Sequence, residues 1–246
     1  MDCYKEFAHL YDELINSDID YKSFGKFILS ACDKYSVNKE YYMDLACGTG
    51  NLTREIYKSF KYNFGIDMSV DMLTEAEKKL DYGAIKPKFI CQDICDLDIN
   101  RKFDLITCCL DSVNYITEED RLIDFFMSVE KHLKPQGLFI FDINSYYKIS
   151  QILGNNTYTY DDEKVFYVWE NRYENEIVDM YLTFFMKDGD MYSRIDEGHS
   201  ERAYNVKTLE NIFEKCGLKC FEIVDCYENK PVTDITERIT FVVKLA

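Results

Sequence analysis

Between residues 41 and 144, short apolar runs alternate with stretches in which apolar side chains recur every three or four positions. The runs are YYMDLA, YNFGID, KFICQD, FDLITCCL and LFIFDIN. They read as buried strands, and the intervening stretches read as amphipathic helices. One helix covers 51–60; a second follows Asp67, with Ser69 as its cap; a third follows Thr117, which caps an acidic first turn, and runs to about Leu133. KPQG is expected to turn the chain into the fifth strand. Ahead of this region, Phe7, Leu10, Tyr11 and Leu14 share one face of a helix over 2–15, and another helix covers about 20–35. Buried strands alternating with helices pair in parallel through right-handed crossovers. Asp44, Asp67, Asp93, Asp111 and Asn144, which end or follow the strands, therefore share the sheet edge where such folds bind ligands.

From about residue 157 the period changes to two. KVFYVWENRY, IVDMYLTFFM and MYSRIDEGHSERAY alternate and are rich in aromatics, with KDGD as a hairpin signal. They predict a small antiparallel sheet whose own core takes Tyr158, Tyr160, Tyr167, Trp169, Phe184 and Phe185. VKTLENIFEKCG then reads as a helix stopped at Gly217, followed by strands LKCFEIVDCY and RITFVVKLA. The expected architecture is α/β: a Rossmann-like seven-stranded sheet with its last strand antiparallel, an inserted small antiparallel β-sheet, and an N-terminal helical lid. Residues 1–150 and 205–246 would form the α/β domain, with the lid at 1–36, and 151–204 the inserted, acceptor-binding sheet.

Charge narrows the function. The net charge is −16, with 29 basic residues against 45 acidic, and no Lys/Arg cluster stands out. Nucleic acid is a poor partner for such a chain, whereas small or cationic molecules suit it. No apolar run reaches the length of a membrane span. The start, MDCYKEF, lacks the basic and apolar regions of an export signal. The ten cysteines form no CxxC pair and lie mostly in apolar segments, so reduced core thiols in a cytoplasm are expected. With three histidines, a zinc site is not expected.

Candidate chemistry centres on DLACGTGN. Thr53 stands where a dinucleotide fingerprint has its third glycine, and no Gly-Lys-Ser/Thr ending supports a Walker loop. An acid just before the glycine turn repels phosphate but suits an ammonium or sulfonium group. With GIDMS, CQDICD, FDLITCCLDSVNYI and HLKPQGLFIFDIN following in order, the chain resembles the class I S-adenosylmethionine-dependent methyltransferases. The resemblance implies S-adenosylmethionine as cofactor and S-adenosylhomocysteine as product. It implies that Asp44, Ala46 (glycine in some members), Cys47, Gly48 and Gly50 meet the methionine moiety. Asp67 would take the ribose hydroxyls, with Met68 beside the adenine. Asp93 would accept from the adenine amino group, near Gln92 and Ile94, and Leu110 would reach the cofactor from the fourth strand. The N-terminal YKEFAHLYDEL resembles small-molecule N-methyltransferases, including aminosugar N,N-dimethyltransferases and glycine N-methyltransferase. That likeness implies a closing helix whose Tyr4 and Tyr11 meet the ligand; both equally suit the packed face of an amphipathic helix.

Methyl transfer needs a positioned nucleophile and exclusion of water, and an amine must lose its proton to attack. Ser112, Asn114 and Tyr115, after the fourth strand, are candidates for that shell, as are Asp142 and Asn144 on the fifth. His199, Arg202 and Tyr204 come from the inserted sheet. Tyr115, Asn114 and His199 are taken as catalytic; His9 and His132 read as ordinary helix residues. The expected acceptor is a small molecule, preferably an amine. Two alternatives stay open: a metal-dependent O-methyltransferase using Asp111, Asp142 and Asn144, and a non-catalytic cofactor binder. A nucleobase methyltransferase is disfavoured by DSVNY, which lacks the prolines of that class.

Overall fold

The computed structural model describes residues 19–80 and 85–246. The first expected helix, with Tyr4 and Tyr11, lies outside them. The chain proceeds through α1 (Tyr21–Lys34), β1 (Tyr41–Leu45), α2 (Asn51–Ile56), β2 (Tyr62–Asp67), α3 (Val70–Leu80), β3 (Lys88–Cys91), β4 (Phe103–Cys108), α4 (Glu119–His132) and β5 (Leu133–Asn144). Four strands follow: β6 (Thr157–Asp161), β7 (Val165–Glu174), β8 (Ile177–Asp188) and β9 (Met191–Arg202). Helix α5 (Val206–Lys215), β10 (Leu218–Asp225) and β11 (Arg238–Leu245) complete it.

The large sheet has seven strands in the order β10-β11-β5-β4-β1-β2-β3. Strands β1 to β5 are parallel, and β11 runs antiparallel between β5 and β10. Both faces are covered, as the unbroken apolar runs require. One face packs Met43, Phe103, Phe139 and Phe141 against α4 and α5; the other packs Tyr42, Leu105 and Ile140 against α1 and α2. Helix α1 lies so close to α2 that a Cβ on Gly25 would stand 2.8 Å from Glu55 Cβ. The second sheet is an antiparallel meander, β6-β7-β8-β9. Its β7–β8 turn places Asn175 and Glu176 at φ 52° and 64°, and its β8–β9 turn has Gly189 at φ 61°. Consecutive left-handed residues match the twist of a two-residue hairpin.

Two local expectations are corrected. KPQG is not a free turn: Phe103 pairs with Leu133 and Leu105 with Leu138, so residues 134–137 bulge out of β5. Gly137 is required there, since a Cβ would lie 3.0 Å from the Phe103 carbonyl oxygen. Thr117 does not cap α4, whose cap position is Glu118 without a side-chain bond; the Thr117 carbonyl instead accepts from Arg202 Nη1 at 2.9 Å. The Ser69 cap is present, its Oγ accepting from Met72 N at 3.2 Å. Of the aromatics assigned to the small sheet's core, Phe184 is buried while Tyr160 is exposed and stacks on Tyr167. Every described cysteine is a free thiol. No helix among the described residues is long and apolar enough to cross a membrane.

Candidate active site

The loop after β1 is built on left-handed residues: Ala46 at φ 51°, Gly48 at 52° and Gly50 at 75°. This winding turns the chain sharply into α2 and leaves the backbone bare. A Cβ at Gly48 would meet nothing within 4 Å, so the main chain there is open to a close-approaching ligand. Asp44 sits beneath, buried, with Oδ2 accepting from Thr53 Oγ1 at 2.5 Å and Oδ1 from Thr107 Oγ1 at 2.7 Å. Burial pushes its carboxyl up to about 6, against the pull of the threonine hydroxyls. Tyr42 extends the chain by donating to Thr107 at 2.9 Å.

Asp67 ends β2 facing this loop. Its Oδ2 accepts from Gly48 N at 2.8 Å and its Oδ1 from Ser69 N at 2.9 Å. Burial raises it, and these backbone bonds oppose the rise. Gln92 N donates to the Asp67 carbonyl at 3.1 Å, and Cys47 N to that of Ile66 at 3.0 Å, so the ends of β1, β2 and β3 are contiguous. Met68 stands 67% exposed at the same edge, and Ile94, which follows Asp93, is buried. Asp93 accepts from Cys95 N at 2.8 Å and pairs with Arg121 at 2.5 Å, which leaves further lone pairs on its oxygens. Tyr11 lies outside the described residues.

Across β1 the edge is formed by β4 and β5. Leu110 and Asp111 are both left-handed, at φ 59° and 54°, and their N–H groups donate to the two oxygens of Asp142 at 2.8 Å each. Asp142 also accepts from Tyr227 Oη and Arg238 Nη1, and Arg238 Nη2 reaches Asp111 at 2.6 Å. Arg238 begins β11 in register with Asn144.

Several expected roles change. Asp142 is fully buried and spent on the β4 loop and Arg238. Asn114 is equally buried: its Nδ2 donates to the Asn144 and Arg202 carbonyls, and its Oδ1 accepts from Asn144 N. With each polar atom engaged, it ties β9 to the ends of β4 and β5. Arg202, on the Thr117 carbonyl, and Tyr204, donating to the Ile116 carbonyl, hold the same junction. Ser112 donates to the Cys109 carbonyl at 2.9 Å. Tyr115, 38% exposed, and His199 are brought together, their rings 5.9 Å apart at 73°. Burial lowers the His199 imidazole, favouring its neutral form. His132 lies in α4 between the Ser128 and Ile99 carbonyls.

Residues 43–137 match the family model described as a methyltransferase domain. A crystal structure of an S-adenosylmethionine-dependent methyltransferase from Clostridium acetobutylicum is 52% identical over 99% of each chain, with a TM-score of 0.93. YqeM of Bacillus subtilis, a protein named as a methyltransferase, is 31% identical over 97% of this chain and 95% of its own. The chain belongs to the S-adenosylmethionine-dependent methyltransferases. A dTDP-3-amino-3,4,6-trideoxy-alpha-D-glucopyranose N,N-dimethyltransferase of Streptomyces venezuelae is 32% identical over 40% of each chain.

The residues of this methyltransferase fit its cofactor. The open backbone at Gly48 admits close approach, the Asp44 carboxyl favours a cation nearby, and Asp67 presents acceptors to hydroxyl donors. Residues that sequence reasoning missed are Thr53, Thr107, Arg121, Glu201, Tyr227 and Arg238. Arg238 left one signal, a lone cation opening the apolar run RITFVV. Glu201 left none, because alternation along β9 does not say which end is covered.

Proposed function

We propose that this methyltransferase methylates a small molecule at an amine nitrogen. The observation that carries the reading is the Tyr115–His199 pair after β4, the strand beside β1 and its glycine loop. A neutral imidazole there takes the proton that an ammonium must lose before its lone pair can attack. Tyr115 packs on the imidazole and offers a hydroxyl that orients the nitrogen. Bound S-adenosylmethionine supplies the sulfonium-activated methyl group. Asp44 and the backbone of Ala46, Cys47, Gly48 and Gly50 hold its methionine end, and Asp67 holds the ribose. Met68, Gln92, Asp93 and Ile94 flank the adenine, with Leu110 closing from β4. The inserted sheet, 151–204, places His199 and shapes the acceptor site. Resemblance to an aminosugar N,N-dimethyltransferase, partial as it is, agrees with a nitrogen acceptor.

Metal-assisted O-methylation is the weaker reading for a positive reason. The Arg238 guanidinium stands between Asp111 and Asp142, on the oxygens a metal would need. The test is product analysis by mass spectrometry after incubation with S-adenosylmethionine and matched panels of small amines and catechols, the latter with magnesium. N-methyl products from amines alone are expected, and H199A should lower their formation by about 10²-fold or more. O-methyl products alone would sink the proposal.

A further inference from the structure

The junction between the two sheets holds a group that the reading so far does not use. Glu201, on β9, is 3% exposed, and its Oε2 accepts from Asn144 Nδ2 at 2.8 Å. Asn144, also 3% exposed, keeps its backbone and Nδ2 engaged, yet its Oδ1 has no hydrogen-bond partner among the described residues. An orphaned buried acceptor destabilises the fold, and a bound donor would recover that loss. The neighbourhood is rich in acceptors. Burial pushes the Glu201 carboxyl up to about 8 and the Asp111 charge adds to the rise, while the Asn144 hydrogen bond, Lys148 and Arg238 oppose it more weakly. Arg238 is itself committed to Asp111 and Asp142. The Glu201 carboxyl is thus held largely protonated at neutral pH, and a cation bound beside it would favour the ionised form. His199, two positions before Glu201, shares its face of β9.

We propose that Asn144 Oδ1 and the Glu201 carboxyl form a subsite for a protonated amine on the acceptor. The amine donates N–H bonds to both oxygens, and as it binds, the Glu201 carboxyl releases its proton to solvent and carries the balancing charge. This rests on the amine-acceptor reading and names the residues that would select for it. Glu201 and Asn144 bind the nitrogen; the proton leaves separately, to His199.

The discriminating variant is Glu201→Gln. It keeps an oxygen for Asn144 Nδ2, cannot ionise, and gives the side chain an N–H that can pair with Asn144 Oδ1. The subsite would be closed from within. Full-length protein labelled with ¹⁵N-asparagine and saturated with S-adenosylhomocysteine is titrated with methylammonium, and separately with tetramethylammonium, a cation without N–H donors. Methylammonium should shift the Asn144 side-chain amide saturably, tetramethylammonium should not, and E201Q should lose the response at least tenfold. E201Q should also melt no lower than the wild type and keep its affinity for S-adenosylhomocysteine, which separates the subsite from a folding defect. No saturable shift, an equal shift with tetramethylammonium, or an undiminished response in E201Q would overturn the subsite. The two readings fail separately. O-methyl products with methylammonium binding intact would remove only the N-methylation assignment; N-methyl products without the Asn144 response would remove only the subsite.

Discussion

Ala46 holds φ 51° in the loop after β1, a conformation that costs an L-residue about 1–2 kcal/mol. The bends at Ala46, Gly48 and Gly50 together carry the chain from Asp44 over to α2, so the strain belongs to the loop's path. Ala46→Gly should relieve it. Part of the gain is lost to the freer unfolded chain, so urea denaturation should show a net rise of up to about 1 kcal/mol. A fall in stability would show that the Ala46 methyl group packs favourably enough to outweigh its backbone. Asp44 gives a second prediction. Its carboxyl is raised by burial from 3.8 to about 6, so the folded state holds the proton more tightly than the unfolded. Its contribution to stability is full below about pH 4 and is lost as pH rises through about 6. A cationic ligand prefers the ionised form, so the trend reverses for binding. Affinity for S-adenosylmethionine should rise about tenfold between pH 5 and pH 7. Asp44→Asn should flatten that rise, and calorimetric titration at the two pH values checks it.

The elements meet at the loop after β4, where left-handed Leu110 and Asp111 are held by one buried carboxylate. Removing half of a buried ion pair typically costs about 3–5 kcal/mol, because the remaining charge has no counterpart. Asp142→Asn should cost about that much in denaturant unfolding, since its amide nitrogen cannot accept from Leu110 or Asp111 N. A cost below about 1 kcal/mol would mean that Asp111 alone neutralises Arg238. The strands of the large sheet were legible because burial on both faces leaves continuous apolar runs in the sequence. The glycine loop and Asp67 were legible because sharp backbone turns at strand ends restrict residue choice. KPQG was misread, since a Pro-Gly turn and a glycine-dependent bulge share a composition. Thr117 was misread because a cap competes with tertiary demands, here the Arg202 guanidinium on its carbonyl. Asn114, taken as catalytic from its place after β4, is buried and ties the two sheets together. No local pattern separates those roles, because they depend on β9 arriving from 88 residues away.

At the scale of the whole molecule, the charge of −16 surrounds a site edge made largely of acceptor oxygens. A field of one sign focused on a cleft raises the encounter rate of oppositely charged ligands, and salt weakens it within a Debye length of about 10 Å at 0.1 M. If the acceptor binds as an ammonium, kcat/KM should fall about tenfold as sodium chloride rises from about 10 mM to 300 mM. The loss should reside in KM, because turnover of bound acceptor takes place inside the site and is screened little. The Glu201→Gln variant separates the global field from the local subsite. Replacing one buried carboxyl in a chain of formal net charge −16 barely changes long-range steering, so its salt slope should match that of the wild type while its KM is uniformly higher. A flat wild-type profile would mean that the acceptor arrives uncharged. In that case the acidic surface concerns solubility alone, and selectivity must lie in the shape of the wall that β9 presents.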